Sequence, residues 1–206
     1  MERRGAGAHF TVLGTPAGAA RLIEEVAAAA LSALPTPRVS VPRGTAAELP
    51  PGYRLDDPVD WDFRWTAAVP PVTGGESLVN WLESPADDPA VAELLETASP
   101  RTSARPGNPN VRRWAGIRAA GGRLAACAAD TSGAPVGHLS AIATEPEGRG
   151  RGFGTAISAW LTRQLLAEFD LVTLGVYADN PAARRLYDRL GYADEHHFTS
   201  GLLHRS

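Results

Sequence analysis

The stretch Glu147-Gly148-Arg149-Gly150-Arg151-Gly152-Phe153-Gly154-Thr155-Ala156 decides how this chain is read. Before it lies Val136 to Thr144, a segment of strand character. After Gly152 an amphipathic helix is predicted, because Ile157, Trp160, Leu161, Leu165 and Phe169 recur at intervals of three and four. Glycines let a backbone take conformations closed to other residues, and they let a phosphate approach several N–H groups without interference from a Cβ. The start of a helix adds the positive end of a dipole, worth about 0.3–1 kcal/mol at an exposed site. Arg149 and Arg151 add mobile cationic donors. A glycine-rich turn between strand and helix, with two arginines, predicts an anion site rather than a solvated loop.

Two nucleotide-binding patterns are excluded. No Gly-Lys-Ser/Thr follows, so the lysine and the magnesium-binding hydroxyl of a P-loop are missing. A Gly-x-Gly-x-x-Gly turn started at Gly148 puts Phe153 at its third glycine, and started at Gly150 it puts Thr155 there.

Working outward, Leu171 to Tyr177 is apolar and β-rich enough for a buried central strand. A second helix is expected with Asn180 as N-cap, Pro181 as first helical residue and Gly191 at its end. A final strand pair could use Tyr192 to Leu203. Upstream, a short strand at Ser77–Leu82, a helix at Pro89–Ala98 and a polar loop at Ser99–Asn110 precede strands at Val111–Arg118 and Arg123–Asp130. Strands followed by helix, strand, helix, strand predict a mixed α/β sheet with helices on its faces. Pro70, Pro71, Gly74 and Gly75 read as a linker, which divides the chain into an N-terminal α/β extension (1–70) and a main domain (76–206). The extension reads strand (His9–Leu13), helix (Ala17–Leu34), strand (Arg38–Val41) and an aromatic segment (Trp61–Trp65).

Arg149-Gly150-Arg151-Gly152-Phe153-Gly154 resembles the Q/R-x-x-G-x-G/A signature of the GNAT acyltransferase superfamily. Asn180, Ala183, Tyr187, Gly191 and Tyr192 match that superfamily's N-x-x-A-x-x-x-Y-x-x-x-G-F/Y pattern in the expected order. The resemblance covers about residues 76–206. It implies a mainly antiparallel central sheet flanked by helices and acetyl-CoA as co-substrate, with the pyrophosphate held by the backbone of 149–155, Thr155 included. It further implies that the backbone of Ile142, Ala143 and Thr144 pairs with the pantetheine arm, and that Asn180 contacts the CoA chain. The extension could be a degenerate half-copy of the same fold, without a second phosphate turn.

Acetyl transfer to an amine needs a neutral amine, stabilisation of an oxyanion and a proton for the departing thiolate. Ala183, Leu186, Tyr187 and Leu190 share one helical face, so the Tyr187 ring is expected to point inward. The resemblance makes it the general acid; a core tyrosine satisfied locally is the other reading. Period-two alternation puts His138, Ser140, Ile142 and Thr144 on one strand face. By its distance from the turn His138 occupies the position where similar enzymes place a general base, and a structural strand histidine is an equal alternative. Glu145 is the fallback base, although a charged residue at a strand end is usually solvated. The expected reaction is direct transfer to a small-molecule or peptide amine. An acyl-CoA-binding sensor without turnover is the alternative.

The remaining features bound these readings. The chain has 206 residues, 44% hydrophobic, with formal charge −3, so no general field draws nucleic acid or an anionic membrane. The apolar run Val26–Leu34 falls short of the ~20 residues of a membrane span. The single cysteine, Cys127, sits among alanines and reads as buried and structural rather than nucleophilic; it excludes an intrachain disulfide and fits a cytoplasmic location. Adjacent His196 and His197 would face opposite sides of a strand, so no metal site is expected. Arg101, Arg105, Arg112 and Arg113 are expected to face solvent. A monomer or homodimer is expected.

Overall fold

The computed structural model describes residues 9–33 and 37–205; the predicted helix end at Leu34 lies outside them. The chain forms two compact units. One takes residues 1–63, 176–181 and 195–206, the other 64–175 and 182–194. They are therefore not the segments 1–70 and 76–206. Pro70–Gly75 belongs to the second unit, and the last twelve residues belong to the first.

In the first unit, β1 (His9–Thr11) and β2 (Arg38–Pro42) run parallel, joined by α1 (Pro16–Ala33), and a single helical turn, α2 (Thr45–Glu48), follows. β2 pairs antiparallel with β9 (Asp194–Arg205), Val39 opposite Gly201 and Val41 opposite Thr199. β3 (Tyr53–Thr66) contributes its residues through Phe63. Ile23, Val39, Val41 and Leu203 form the core, joined by Val12, Leu49, Tyr53 and Leu55. β9 is one twelve-residue strand rather than the expected pair. Its glycine explains why: a Cβ at Gly201 would lie 2.9 Å from the Asp56 carbonyl oxygen, so this glycine serves close backbone packing and not a turn. β3 likewise extends well before the aromatic segment, because Asp56, Asp57 and Pro58 mask its alternation in sequence.

The second unit carries strands in the order β8 (Val172–Tyr177, through Gly175), β7 (Gly137–Thr144), β6 (Leu124–Asp130), β5 (Arg113–Arg118) and β4 (Val79–Trp81). β7 and β8 are parallel and the other pairings antiparallel. Every residue of β6 is buried, which requires cover on both faces. α3 (Asp88–Ala98) supplies one cover: Val91, Leu94 and Leu95 pack with Trp114, Leu124, Cys127, Ala129 and Ala143. Ala126 and Ala128 point the other way, and α4 (Phe153–Leu166) packs on β5, β6 and β7 with Ile157, Leu161 and Leu165 fully buried. Phe169 lies beyond the end of α4. The fold is thus mixed α/β, a mainly antiparallel sheet flanked by helices. Arg163 on α4 ties down the 70–76 arm by donating to the Pro70 and Pro71 carbonyls and pairing with Glu76.

Candidate active site

β7 delivers the chain into the glycine-rich turn. A short 3₁₀ turn (Pro146–Gly148) closes on Glu145, then Gly150 (φ 77°) and Gly152 (φ 84°) take left-handed conformations that cost a residue with a Cβ about 1–2 kcal/mol. Nothing stands within 4 Å of a Cβ built at either, so the constraint is conformational and the space in front is open. Gly152 caps α4, whose first bond runs from the Ala156 amide to the Gly152 carbonyl at 2.9 Å. The amides of Phe153, Gly154 and Thr155 precede it and have no helical acceptor. Arg149 and Arg151 are exposed, and the Arg151 guanidinium lies 5.0 Å from the Phe153 ring centre. These donors and this open approach fit a pyrophosphate.

Between His138 and the turn, β7 departs from regular alternation. Ala129 opposes Ser140 and Cys127 opposes Ala143, so Ala128 faces two residues, Ala141 and Ile142. This is a β-bulge, and Ala141 sits there at φ 51°. The expected common face of His138, Ser140, Ile142 and Thr144 is therefore broken. Ser140 shares the face of Ala129 under α3, with His138 two residues before it, whereas Thr144 pairs with Ala126 on the α4 side, with Ile142 two residues before it. The bulge also ends a ladder. β7 pairs with β8 only at Gly137, His138 and Leu139, opposite Val172, Thr173 and Leu174. From Ser140 to Thr144 one edge of β7 pairs with β6 and the other has no ladder to β8, which gives an extended arm an edge to bind.

His138 is partly buried, and burial pushes its pKa down, so it is neutral at pH 7. Its Nδ1 lies 2.7 Å from the Thr173 hydroxyl. Tyr187, on α5 (Pro181–Arg189), is buried, and burial alone drives its pKa upward, so the hydroxyl keeps its proton. No described residue hydrogen-bonds to that hydroxyl. Its ring meets Tyr192 edge-on, centres 5.9 Å apart. Thr162 gives its proton to the Ser158 carbonyl (2.7 Å), so the Tyr192 hydroxyl, 2.7 Å away, donates to Thr162.

Known proteins resemble this chain in sequence or in fold. Residues 115–199 match the family model described as FR47-like protein. A 64-residue stretch, 31% of this chain, is 42% identical to mycothiol acetyltransferase of Nocardiopsis dassonvillei and spans 19% of that protein's length. The fold is similar to that of a Novosphingobium aromaticivorans protein assigned to the GNAT family of acetyltransferases (TM-score 0.66, 24% identity, 94% of this chain and 81% of that one). It is also similar to a GCN5-related N-acetyltransferase from Kribbella flavida (TM-score 0.62, 19% identity, 92% and 77%). The fold is that of the GNAT acetyltransferases.

Other residues singled out in sequence take different places in the fold. Glu145 is not solvated: it is buried and paired with Arg123. Arg112 and Arg113 do not simply face water, since both hold the buried carboxylate of Asp130 (3.2 and 2.9 Å) and both reach Glu168. Arg105 donates to the Pro100 carbonyl. Cys127 is buried, and burial pushes its thiol up to about 12. Asn180 is exposed just ahead of Pro181, in the first unit. The metal-ligand grouping found among the described residues is Asp62, Glu195 and His197, also in the first unit. Asp62 already accepts from Arg43 (2.7 Å) and His197 (2.8 Å), so a resident cation balances its charge. Sequence reasoning missed Thr173 and Thr162. The available signal was a hydroxyl inside each apolar buried pattern, Val172-Thr173-Leu174 and Leu161-Thr162.

Proposed function

We propose that this protein transfers an acetyl group from acetyl-CoA directly to an amine. One observation carries the reading: a strand whose edge opens at a bulge, with His138 in the paired segment just before it, leads straight into a turn with unspent backbone amides. Gly150 through Thr155, with Arg149 and Arg151, would hold the pyrophosphate. The open edge of Ile142, Ala143 and Thr144 would pair with the pantetheine arm, and the bulge leaves backbone groups outside the ladder, suited to a developing oxyanion. Bound there, acetyl-CoA supplies an activated acyl thioester. His138, neutral in its buried setting, takes the proton from the incoming amine. Tyr187, holding its proton, gives it to the leaving sulfur. Arg123 ties up Glu145, which favours His138 as the base.

The test is acetyl-CoA consumption with the full chain against amino acids, polyamines, aminoglycosides and peptide N-termini. Amine-dependent release of free CoA is the expected result. Tight acetyl-CoA binding with neither amine-dependent turnover nor hydrolysis would instead support an acyl-CoA sensor.

A further inference from the structure

We infer that Thr173 is a positioning residue that fixes His138 in the tautomer with its proton on Nδ1, leaving the lone pair on Nε2. The functional consequence rests on His138 being the base; the tautomer assignment does not. The Thr173 hydroxyl lies 2.9 Å from the Gly137 carbonyl and 2.7 Å from His138 Nδ1. A hydroxyl has one proton, and a carbonyl can only accept. Thr173 therefore donates to Gly137, and its oxygen accepts from Nδ1–H. The reverse assignment would set two oxygen lone pairs against each other at 2.9 Å.

The surroundings lock this arrangement. Thr173 is buried, and it faces His138 across the parallel ladder, where Gly137 pairs with Val172 and Leu139 with Leu174. The backbone of His138 is held as well: its amide donates to the Ser132 hydroxyl at 2.9 Å, and its carbonyl accepts from the Thr131 amide at 2.9 Å. A charged side chain bearing on the imidazole is Asp130 on β6, itself held by Arg112, just ahead of β5, and by Arg113 at its start. Thr173 hence favours the tautomer protonated on Nδ1, and Asp130 modulates the charge. A free histidine prefers the opposite tautomer, so without Thr173 the basic nitrogen would be Nδ1, turned toward β8. When Nε2 takes a proton the imidazolium keeps its Nδ1–H bond to Thr173, so protonation needs no rearrangement.

Long-range ¹H–¹⁵N NMR on the full chain, with His138 assigned by loss of its signals in His138→Gln, reads the tautomer without any acceptor. The wild type and Thr173→Ser are expected to show a protonated Nδ1 and an unprotonated Nε2. Thr173→Val should shift the population toward Nε2–H and lower kcat about fivefold, the equivalent of one ordinary hydrogen bond, with KM for acetyl-CoA unchanged. Thr173→Ala serves if valine disturbs folding. A wild-type imidazole protonated on Nε2, or a wild-type spectrum in both Thr173→Val and Thr173→Ala, would overturn the assignment. Full turnover in His138→Gln alongside the expected tautomer shift would sink the base reading alone.

Discussion

At Tyr187 a single oxygen separates two readings. Tyr187→Phe keeps the buried ring and its contact with Tyr192 and removes only the proton. Turnover is expected to fall about a hundredfold, the lower range for general acid catalysis, with acetyl-CoA affinity by calorimetry unchanged. An unaltered kcat would make Tyr187 a core residue. Cys127 lies at the opposite extreme. With its thiol pushed up to about 12 it carries almost no thiolate at neutral pH, so the native protein is expected to resist a thiol-reactive dye until unfolded. Rapid native labelling would contradict that. Both environments, an inward tyrosine on α5 and a cysteine among alanines, were legible in sequence. The partners of His138 and Tyr192 were not, because Thr173 and Thr162 arrive from elements 35 and 30 residues away in the chain.

At the scale of elements, the turn and the bulge divide the work. Gly152 must be left-handed for α4 to begin where it does, and an alanine there pays about 1–2 kcal/mol. Because no atom crowds the added Cβ, the expected result for Gly152→Ala is a folded protein whose acetyl-CoA dissociation constant rises about tenfold. Unchanged affinity would move the phosphate away from this turn. Alternation alone could not foresee the bulge. Nothing in His138-Leu139-Ser140-Ala141-Ile142 announces an extra residue, and Ala141 is an unfavourable choice for a positive φ. The register against β6 imposes it, and one extra residue is enough to put Thr144 and His138 on opposite faces.

Across the whole molecule, pH ties site chemistry to stability. Burial lowers the His138 pKa in the folded chain below its unfolded value of about 6.5. The unfolded chain then binds more protons in that window, so stability is full above about pH 6.5 and is lost as pH falls from there through the folded pKa. His9, lowered by burial and by Arg38, adds to the same slope. Thermal melts between pH 7.5 and 5 are expected to show a falling midpoint, and His138→Gln should flatten part of the fall. An identical slope in that variant would mean His138 is not the group that titrates.

What the sequence determined by itself was local: the glycine-rich turn, the helices beginning after Gly152 and at Pro181, the central strands, and two spaced motifs that resemble those of the GNAT superfamily. These follow from backbone freedom, capping and periodicity, all set within a few residues. The tertiary structure alone decided which residues share a face and which atoms share a proton. It ended the β7–β8 ladder at Leu139, buried Glu145 against Arg123, brought β9 into the first unit, and set Thr173 against His138. Register and long-range pairing depend on contacts between distant segments, and no short-range pattern encodes them.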